Sequence, residues 1–546
     1  MKRKAALFLA LLMMLSLVAG CTGGETTAGT TAGGTTPPPP GGGGTTATTA
    51  SPSSGTTVEA REVLKIGAYD EDWVAADLIQ GDTFYDIQMM MAEPLFLYNT
   101  DTGELEGCLG TKPVFTENGT VMTFEVPEGR TFASGAVLDA EDVKASLEYG
   151  ITGGAMSDTY SIITQVETDG NKVIVTMSTY STALMTLLVS PFFCVIDSEQ
   201  LATMGPEELL WGAQPYGAYY ISEYTEGAGV VLLRNEGFQT LNPSIQNKGV
   251  PYIPQINVTW YADEFAMISA FQTGDLDFLI GITEDSLEVL GGGADVVVNS
   301  TLPPMVRNVQ MNANSEFLAD KNVRLAISYL IDRNNIVAAF GGDLCCTGSY
   351  CYITQNVMYH TPESGEYFRQ NYADNADKAM QLLAEAGWSE KNSDGMLVKD
   401  GKTMKLIFNT GSGKNETAAL AIQIQLRKAG LDVEVVTTTE ANALAREGKY
   451  DLTMCNYWWS EPGRFLVNMF PDHTAFDETE YRTIVTEVET TTDNAKRFEL
   501  VDQAQRYLMD ELVVLPLYTT SYMKIYRDSL SDIIFIVDGM FTNDCK

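Results

Sequence analysis

The densest run of chemically able side chains in this sequence is Tyr457-Trp458-Trp459-Ser460-Glu461-Pro462-Gly463-Arg464. Three adjacent aromatics followed by a carboxylate and a guanidinium make an unusual loop, able to stack on a flat ligand and to pair with charge. Neighbours in an extended chain point to opposite sides, so only one of the two tryptophans is expected to face a ligand. Catalytic constellations are missing. There is no G-x-S-x-G elbow, no H-E-x-x-H helix and no Cys/His pairing of known pattern. Gly411-Ser412-Gly413-Lys414 has the outline of a phosphate loop, but Phe408 stands at the first glycine position and Asn415 at the Ser/Thr position. A hydrolase built on paired carboxylates stays open, because 72 acidic residues offer many unplaced pairs. Cys345, Cys346 and Cys351 lie close together in sequence. Neither His360 nor His473, the two histidines, stands at ligand spacing from them, so a local disulfide or free thiols is expected rather than a metal centre.

The elements that would position such groups are of mixed type. Val63 to Gly67 and Val121 to Val126 read as strands, as do Val230 to Arg234 and Ile256 to Trp260. Asp139 can N-cap a helix through Glu148, with acids in its first turn. Asn322 to Tyr329 and Ala376 to Ala386 read as helices, the second closed by Gly387. Met404 to Phe408, a helix from Ala418 to Ala429, Gly430 and Val433 to Val436 make a β-α-β unit.

Ahead of these lies a different kind of chain. Lys2, Arg3 and Lys4 form a basic start, Ala5 to Ala19 is an uncharged and mostly apolar run, and Ala19-Gly20 leads into Cys21. That is a secretory signal, too short to span a bilayer core of about 30 Å comfortably. Val18-Ala19-Gly20-Cys21 resembles a bacterial lipobox, which implies that Cys21 is acylated and becomes the mature N-terminus. From Thr22 to Thr57 the chain is Thr, Gly, Pro, Ala and Ser with one charge, Glu25. It cannot bury enough apolar surface to offset ordering, and as a flexible tether it would span roughly 30–36 Å. The remaining chain to Lys546 has ordinary globular composition and is long enough for two or three structural domains. A formal net charge of -38 argues against nucleic acid and against adhesion to anionic lipid, leaving the tether to supply membrane contact.

Several motifs stand in a recognisable order. They are Phe124 to Gly135 (FEVPEGRTFASG) with Leu138 to Lys144, Pro215 to Ile221 (PYGAYYI) with Arg234-Asn235, Phe271 to Asp277, Asn322 to Arg333 (NVRLAISYLIDR), Leu382 to Trp388 and Gln425 to Val433. Together they resemble the family 5 solute-binding proteins of ATP-binding-cassette importers, the oligopeptide- and dipeptide-binding group, from Leu64 to about Asp532. The glycines Gly135, Gly217 and Gly274 are expected to supply turns that a Cβ would hinder. Arg324, Asp332 and Arg333 are expected in helix-end and interdomain polar contacts.

The resemblance implies an α/β fold: a two-lobed periplasmic-binding-protein-like clamp of type II with an extra inserted domain, its mixed sheets flanked by helices. Lobe I would comprise 58–101, 211–300 and 520–546, the inserted domain 102–210 and lobe II 301–519. Two crossover strands would allow hinge closure over a ligand. It also implies that 457–464 and the loop after the first strand line the cleft, which makes Trp459, Arg464, Tyr457, Trp458, Glu461, Tyr69 and Asp70 the expected ligand contacts. Peptide-binding relatives hold the α-amino group with an Asp in this loop, yet no Asp or Glu stands between Asp451 and Glu461. A buried ammonium needs a partner. Either Glu461 or Asp70 takes that part, or the ligand lacks a free amino terminus, as an oligosaccharide stacked on Trp458 or Trp459 would. Nickel is disfavoured by the scarcity of histidine. The expected protein is a lipid-anchored, extracytoplasmic, monomeric binding component, not an enzyme and without cofactor, that delivers short peptides to permease subunits. It would sit on the outer face of the cell membrane, in the periplasmic space in a Gram-negative cell. A ligand sensor on the same fold is a further alternative.

Overall fold

The computed structural model describes residues 61–69, 85–99, 102–153, 156–205, 208–209, 212–283, 286–291, 293, 295–355, 357–456, 461–469, 478–536 and 539–546. The signal, Cys21 and the tether therefore lie outside the described residues. None of the described helices is long and apolar enough to cross a membrane.

Strand Val63–Ala68 pairs in parallel with Gln255–Trp260 and with Phe278–Ile282, at the centre of a seven-stranded sheet. Leu64, Ile66 and Ala68, on one face, are fully buried; on the other, Gly67 packs closely on Leu276 and Met267 while Lys65 is exposed. Antiparallel strands Gly229–Arg234 and Tyr219–Thr225 extend one side, and Tyr522–Arg527 and Val296–Thr301 the other. A second, six-stranded sheet runs in the order Cys346–Gly348, Val514–Thr520, Arg307–Met311, Leu452–Asn456, Lys405–Thr410, Asp432–Thr437. Its β-α-β unit follows the sequence pattern: Lys405–Thr410 and Asp432–Thr437 pair in parallel around helix Lys414–Ala429. Gly430 closes that helix at φ 108°, a left-handed conformation that a Cβ would strain. A four-stranded antiparallel sheet between residues 114 and 177 packs with helix Ala140–Gly153. That helix begins in a reciprocal cap, Glu141 N donating to Asp139 Oδ1 at 2.8 Å and Asp139 N to Asp142 Oδ2 at 2.9 Å.

Two large cores result. One is drawn entirely from residues between Val309 and Tyr518; the other joins the seven-stranded sheet to the four-stranded segment and ends at Cys545. Each lobe thus holds its own apolar interior, which lets the lobes move as bodies. The chain passes between them twice, through 302–306 and through Ser521. Residues marked in the sequence as scaffold serve as scaffold. Arg324 donates to the carbonyls of Leu318 and Glu511, and Arg333 to those of Ser349 and Pro516, with its guanidinium over Tyr350 and Phe368. Burial pulls Arg333 down to about 10, still charged at neutral pH. These partners all belong to the same lobe, so the contacts are internal and not interdomain. Gly135 and Gly274 do occupy left-handed turns, at φ 89° and 86°. Gly217 instead permits close approach, since a Cβ there would lie 2.0 Å from the Met91 carbonyl oxygen.

Candidate functional site

Ligands of open α/β sheets gather at the carboxyl ends of the parallel strands. In the first lobe those ends are Ala68-Tyr69, Trp260-Tyr261 and Ile282-Thr283; in the second they are Thr410, Thr437 and Asn456. Both crossings leave from these edges, because Val296–Thr301 ends and Tyr522–Arg527 begins at the first, while Arg307–Met311 begins and Val514–Thr520 ends at the second. The two edges therefore face each other across a short double hinge. Pro303 and Pro304 stiffen one crossing. Hydrogen bonds tie both down: Thr301 Oγ1 donates to the Tyr522 carbonyl, Thr354 Oγ1 to that of Pro303, and the Ser521 amide to that of Cys345.

On the first edge, Tyr69 is partly buried, its amide donating to the Ile280 carbonyl at 3.1 Å. A bulge in the neighbouring strand puts Gly281 at φ 85°, where a Cβ would lie 2.6 Å from the Tyr69 carbonyl oxygen. Asp70 lies outside the described residues. On the second edge, Asn456 ends its strand directly before Tyr457, Trp458 and Trp459, which also lie outside them. The backbone of Arg464 belongs to helix Pro462–Asn468. Glu461 is fully buried and its Oε2 accepts from Gly463 N at 2.8 Å, which caps the start of that helix. The structure brings Glu461 into one electrostatic cluster with Tyr98, Tyr359 and Arg497. Burial lifts the Tyr98 phenol well above the usual tyrosine range, with Tyr180 and Glu461 adding to the effect.

Arg307 has no motif in the sequence and stands on the same edge as Asn456, its register partner. Its Nη1 donates to Asn415 Oδ1 at 3.0 Å and to Asn456 Oδ1 at 3.4 Å. Trp260 and Tyr261 on the facing edge likewise carry no motif; only their place at the end of a β-rich run could have marked them. Beside the crossings, Leu302, Thr519, Tyr350, Glu366 and Arg369 line a cavity of about 290 Å³, which also reaches His360 and Cys351. His360 Nδ1 lies 2.8 Å from the Ile353 carbonyl and 3.9 Å from Cys351 Sγ. A carbonyl only accepts, so Nδ1 carries the proton and cannot take one from the thiol. Burial raises the Cys351 thiol further, and it donates to the Ile353 carbonyl. The pair is no nucleophile–base couple. Among the described residues, no group of three or more His, Cys, Asp and Glu is placed to hold a metal ion.

The profile of the bacterial extracellular solute-binding proteins, family 5 Middle, matches residues 104–475. The oligopeptide-binding protein AppA of Bacillus subtilis (strain 168) is 25% identical over 334 residues, 58% of this chain and 58% of AppA. The chain thus spans somewhat more than half of that relative's length. Among solved structures, NikA from Brucella suis in complex with Fe(III)-EDTA matches with a TM-score of 0.76 at 23% identity, over 88% of this chain and 99% of NikA. AppA from Bacillus subtilis in complex with a nonapeptide matches with a TM-score of 0.65 at 17% identity, again over 88% and 99%. These likenesses show the fold, an α/β two-lobed clamp.

Proposed function

The chain belongs to the bacterial extracellular solute-binding proteins of family 5, and from that premise we propose that it is the lipid-anchored, extracytoplasmic binding component of an ATP-binding-cassette importer. It captures short peptides between its lobes and delivers them to the membrane permease. The observation that carries this is the pair of carboxyl-terminal sheet edges facing each other across two short crossings, since a ligand touching both edges favours the closed arrangement. Trp459, Arg464, Tyr457, Trp458 and Glu461 from the second lobe and Tyr69 and Asp70 from the first are the proposed contacts. The proposed division has lobe I in 58–101, 211–300 and 520–546, an inserted domain in 102–210 and lobe II in 301–519. Cys21 carries the lipid and residues 22–57 the tether, which keeps the clamp at high effective concentration near its permease. The relatives matched are binding proteins and not enzymes.

A second ligand class is favoured by one observation. The segment 452–460 supplies no carboxylate for a peptide's amino group, so an oligosaccharide or another ligand without a free amino terminus fits the second lobe equally well. The test is thermal melting of the full chain with pools of short peptides and of oligosaccharides. Binding to the folded state at a hundred times Kd should add about 2.7 kcal/mol of stability. A rise with peptides supports the first reading and a rise with sugars alone the second; no rise with either overturns both.

A further inference from the structure

Arg307 opens its strand on the second-lobe edge and pairs in register with Asn456 on one side and Tyr518 on the other. Cross-strand partners share a face, so the three side chains form one row. Tyr518 Oη donates to the Lys414 carbonyl at 3.0 Å, which sets the start of helix Lys414–Ala429 over that row. Asn415, in the first turn of that helix, and Asn456 both turn carboxamide oxygens to Arg307 Nη1. These neutral acceptors orient the guanidinium without neutralising it. Arg307 Nε is buried and makes no hydrogen bond, and among the described residues no carboxylate lies within ion-pair distance of Arg307. A partly buried cation with a donor unused costs free energy until an anion reaches it.

Further positive potential converges on this row. Helix Lys414–Ala429 starts after Gly413, at φ 70° with no side-chain cap, so its first-turn amides add their partial charge, while the acid of that turn, Glu416, accepts from Thr437 Oγ1 at 2.9 Å. The adjoining segment 452–460 contributes no acid. Resting on the capture of a solute between the lobes, we propose that Arg307 receives a carboxylate of that solute. The planar guanidinium, held by two carboxamides through Nη1, offers its remaining Nη donors for recognition of a carboxylate. The second lobe then grips the acid end of the ligand, not an amino end. Either a peptide's terminal carboxylate or a sugar acid supplies this chemistry.

The experiment is titration calorimetry on the full chain and its Arg307→Gln and Arg307→Lys variants with four probes: a random tetrapeptide library as free acids, the same library as C-terminal amides, oligogalacturonate and maltotriose. The wild type should bind one acid probe ~tenfold more tightly than its neutral counterpart. Arg307→Gln should abolish that preference, and Arg307→Lys should keep part of it. The peptide and sugar arms tell which source supplies the carboxylate. Equal wild-type affinity for acid and neutral probes overturns the proposal, as does an acid preference undiminished in Arg307→Gln. A wild type that binds none of the four overturns solute capture itself, and this proposal with it. If Arg307→Gln loses its melting transition, Asn415→Ala carries the test. It removes one oxygen that orients the guanidinium and should weaken the acid probe while leaving its neutral counterpart unchanged; equal weakening of both overturns the proposal.

Discussion

The guanidinium carbon of Arg497 lies 5.6 Å from the centroid of the Tyr180 ring, although the two residues belong to different cores. Arg497 sits on helix Asn494–Glu511, in the interior of the six-stranded lobe, and Tyr180 packs against the core of the four-stranded segment. Arg497 Nη1 also donates to Tyr359 Oη at 3.0 Å, and Asn494 Nδ2 reaches the Thr102 carbonyl at 3.2 Å. Burial works against the charge, but Tyr180, Tyr359 and Glu461 together hold Arg497 above the usual arginine range. The contact is a polar latch between the two cores.

The latch should be measurable as coupling. Arg497→Met should cost about 3–5 kcal/mol in urea unfolding, because it strips the cation from a cluster that contains the buried Glu461 carboxylate. In a double-mutant cycle with Tyr180→Leu, the pair should show about 0.5–2 kcal/mol of interaction. Strict additivity would mean that the ring contributes only its area.

A buried ion pair anchors one crossing. Lys524 Nζ lies 2.7 Å from Asp86 Oδ1 with both side chains 2% exposed, and Tyr522 Oη donates to Asp86 Oδ2 at 3.1 Å. Removing either charge alone should destabilise the protein by about 3–5 kcal/mol, since the other is stranded without water. The double replacement Asp86→Leu with Lys524→Met should recover most of that loss by chemical denaturation. Failure to recover would mean that the pair is worth more than its desolvation. Because Tyr522 is the first strand residue past Ser521, Asp86→Leu alone should also speed hydrogen exchange at that crossing.

Much of the clamp is legible in local sequence pattern. The helix from Lys321 to Leu330, capped by Asp320, and the β-α-β unit whose helix ends at Gly430 follow from periods of 3.6 and 2 with a cap or a glycine at the boundary. What stayed hidden is long-range polar chemistry. Arg307 has no local signal because its carboxamide partners lie 108 and 149 residues away. Arg497 reads in sequence as one more charge on a helix, and only tertiary packing buries it. Glu93 reads as a loop acid, yet its hydrogen-bond donors come from 15 and 147 residues away.

Glu93 sets an expected pH dependence. It is fully buried, Cys108 Sγ and Thr240 Oγ1 donate to its Oε1, and burial raises its carboxyl above the ordinary value despite those bonds. In the folded state it keeps a proton that the unfolded chain has already released. Its contribution is therefore complete below the unfolded carboxyl pKa and is lost as pH rises through the raised folded value. Glu93→Gln keeps an acceptor for both donors and removes the titration. Its stability relative to the wild type should increase as pH rises from about 4.5. Parallel stability–pH curves for the two proteins would contradict that assignment.

The proposed cleft loop can be divided residue by residue. Glu461 Oε2 already accepts from Gly463 N, and Glu461→Gln keeps that acceptor but takes the carboxylate from the buried Arg497, so it should cost about 3–5 kcal/mol of stability. The two tryptophans should separate more sharply. If the loop runs extended after Asn456, adjacent rings point to opposite sides. Trp459→Ala should then weaken binding of the tetrapeptide acids by about 2 kcal/mol, roughly thirtyfold, while shifting urea stability little. Trp458→Ala should do the reverse and cost about 3–5 kcal/mol of stability as a truncated core aromatic. Measuring both quantities on both variants assigns the faces. If Trp459→Ala proves the unstable one with its affinity unchanged, Trp459 belongs to the core and the ligand contact passes to Trp458.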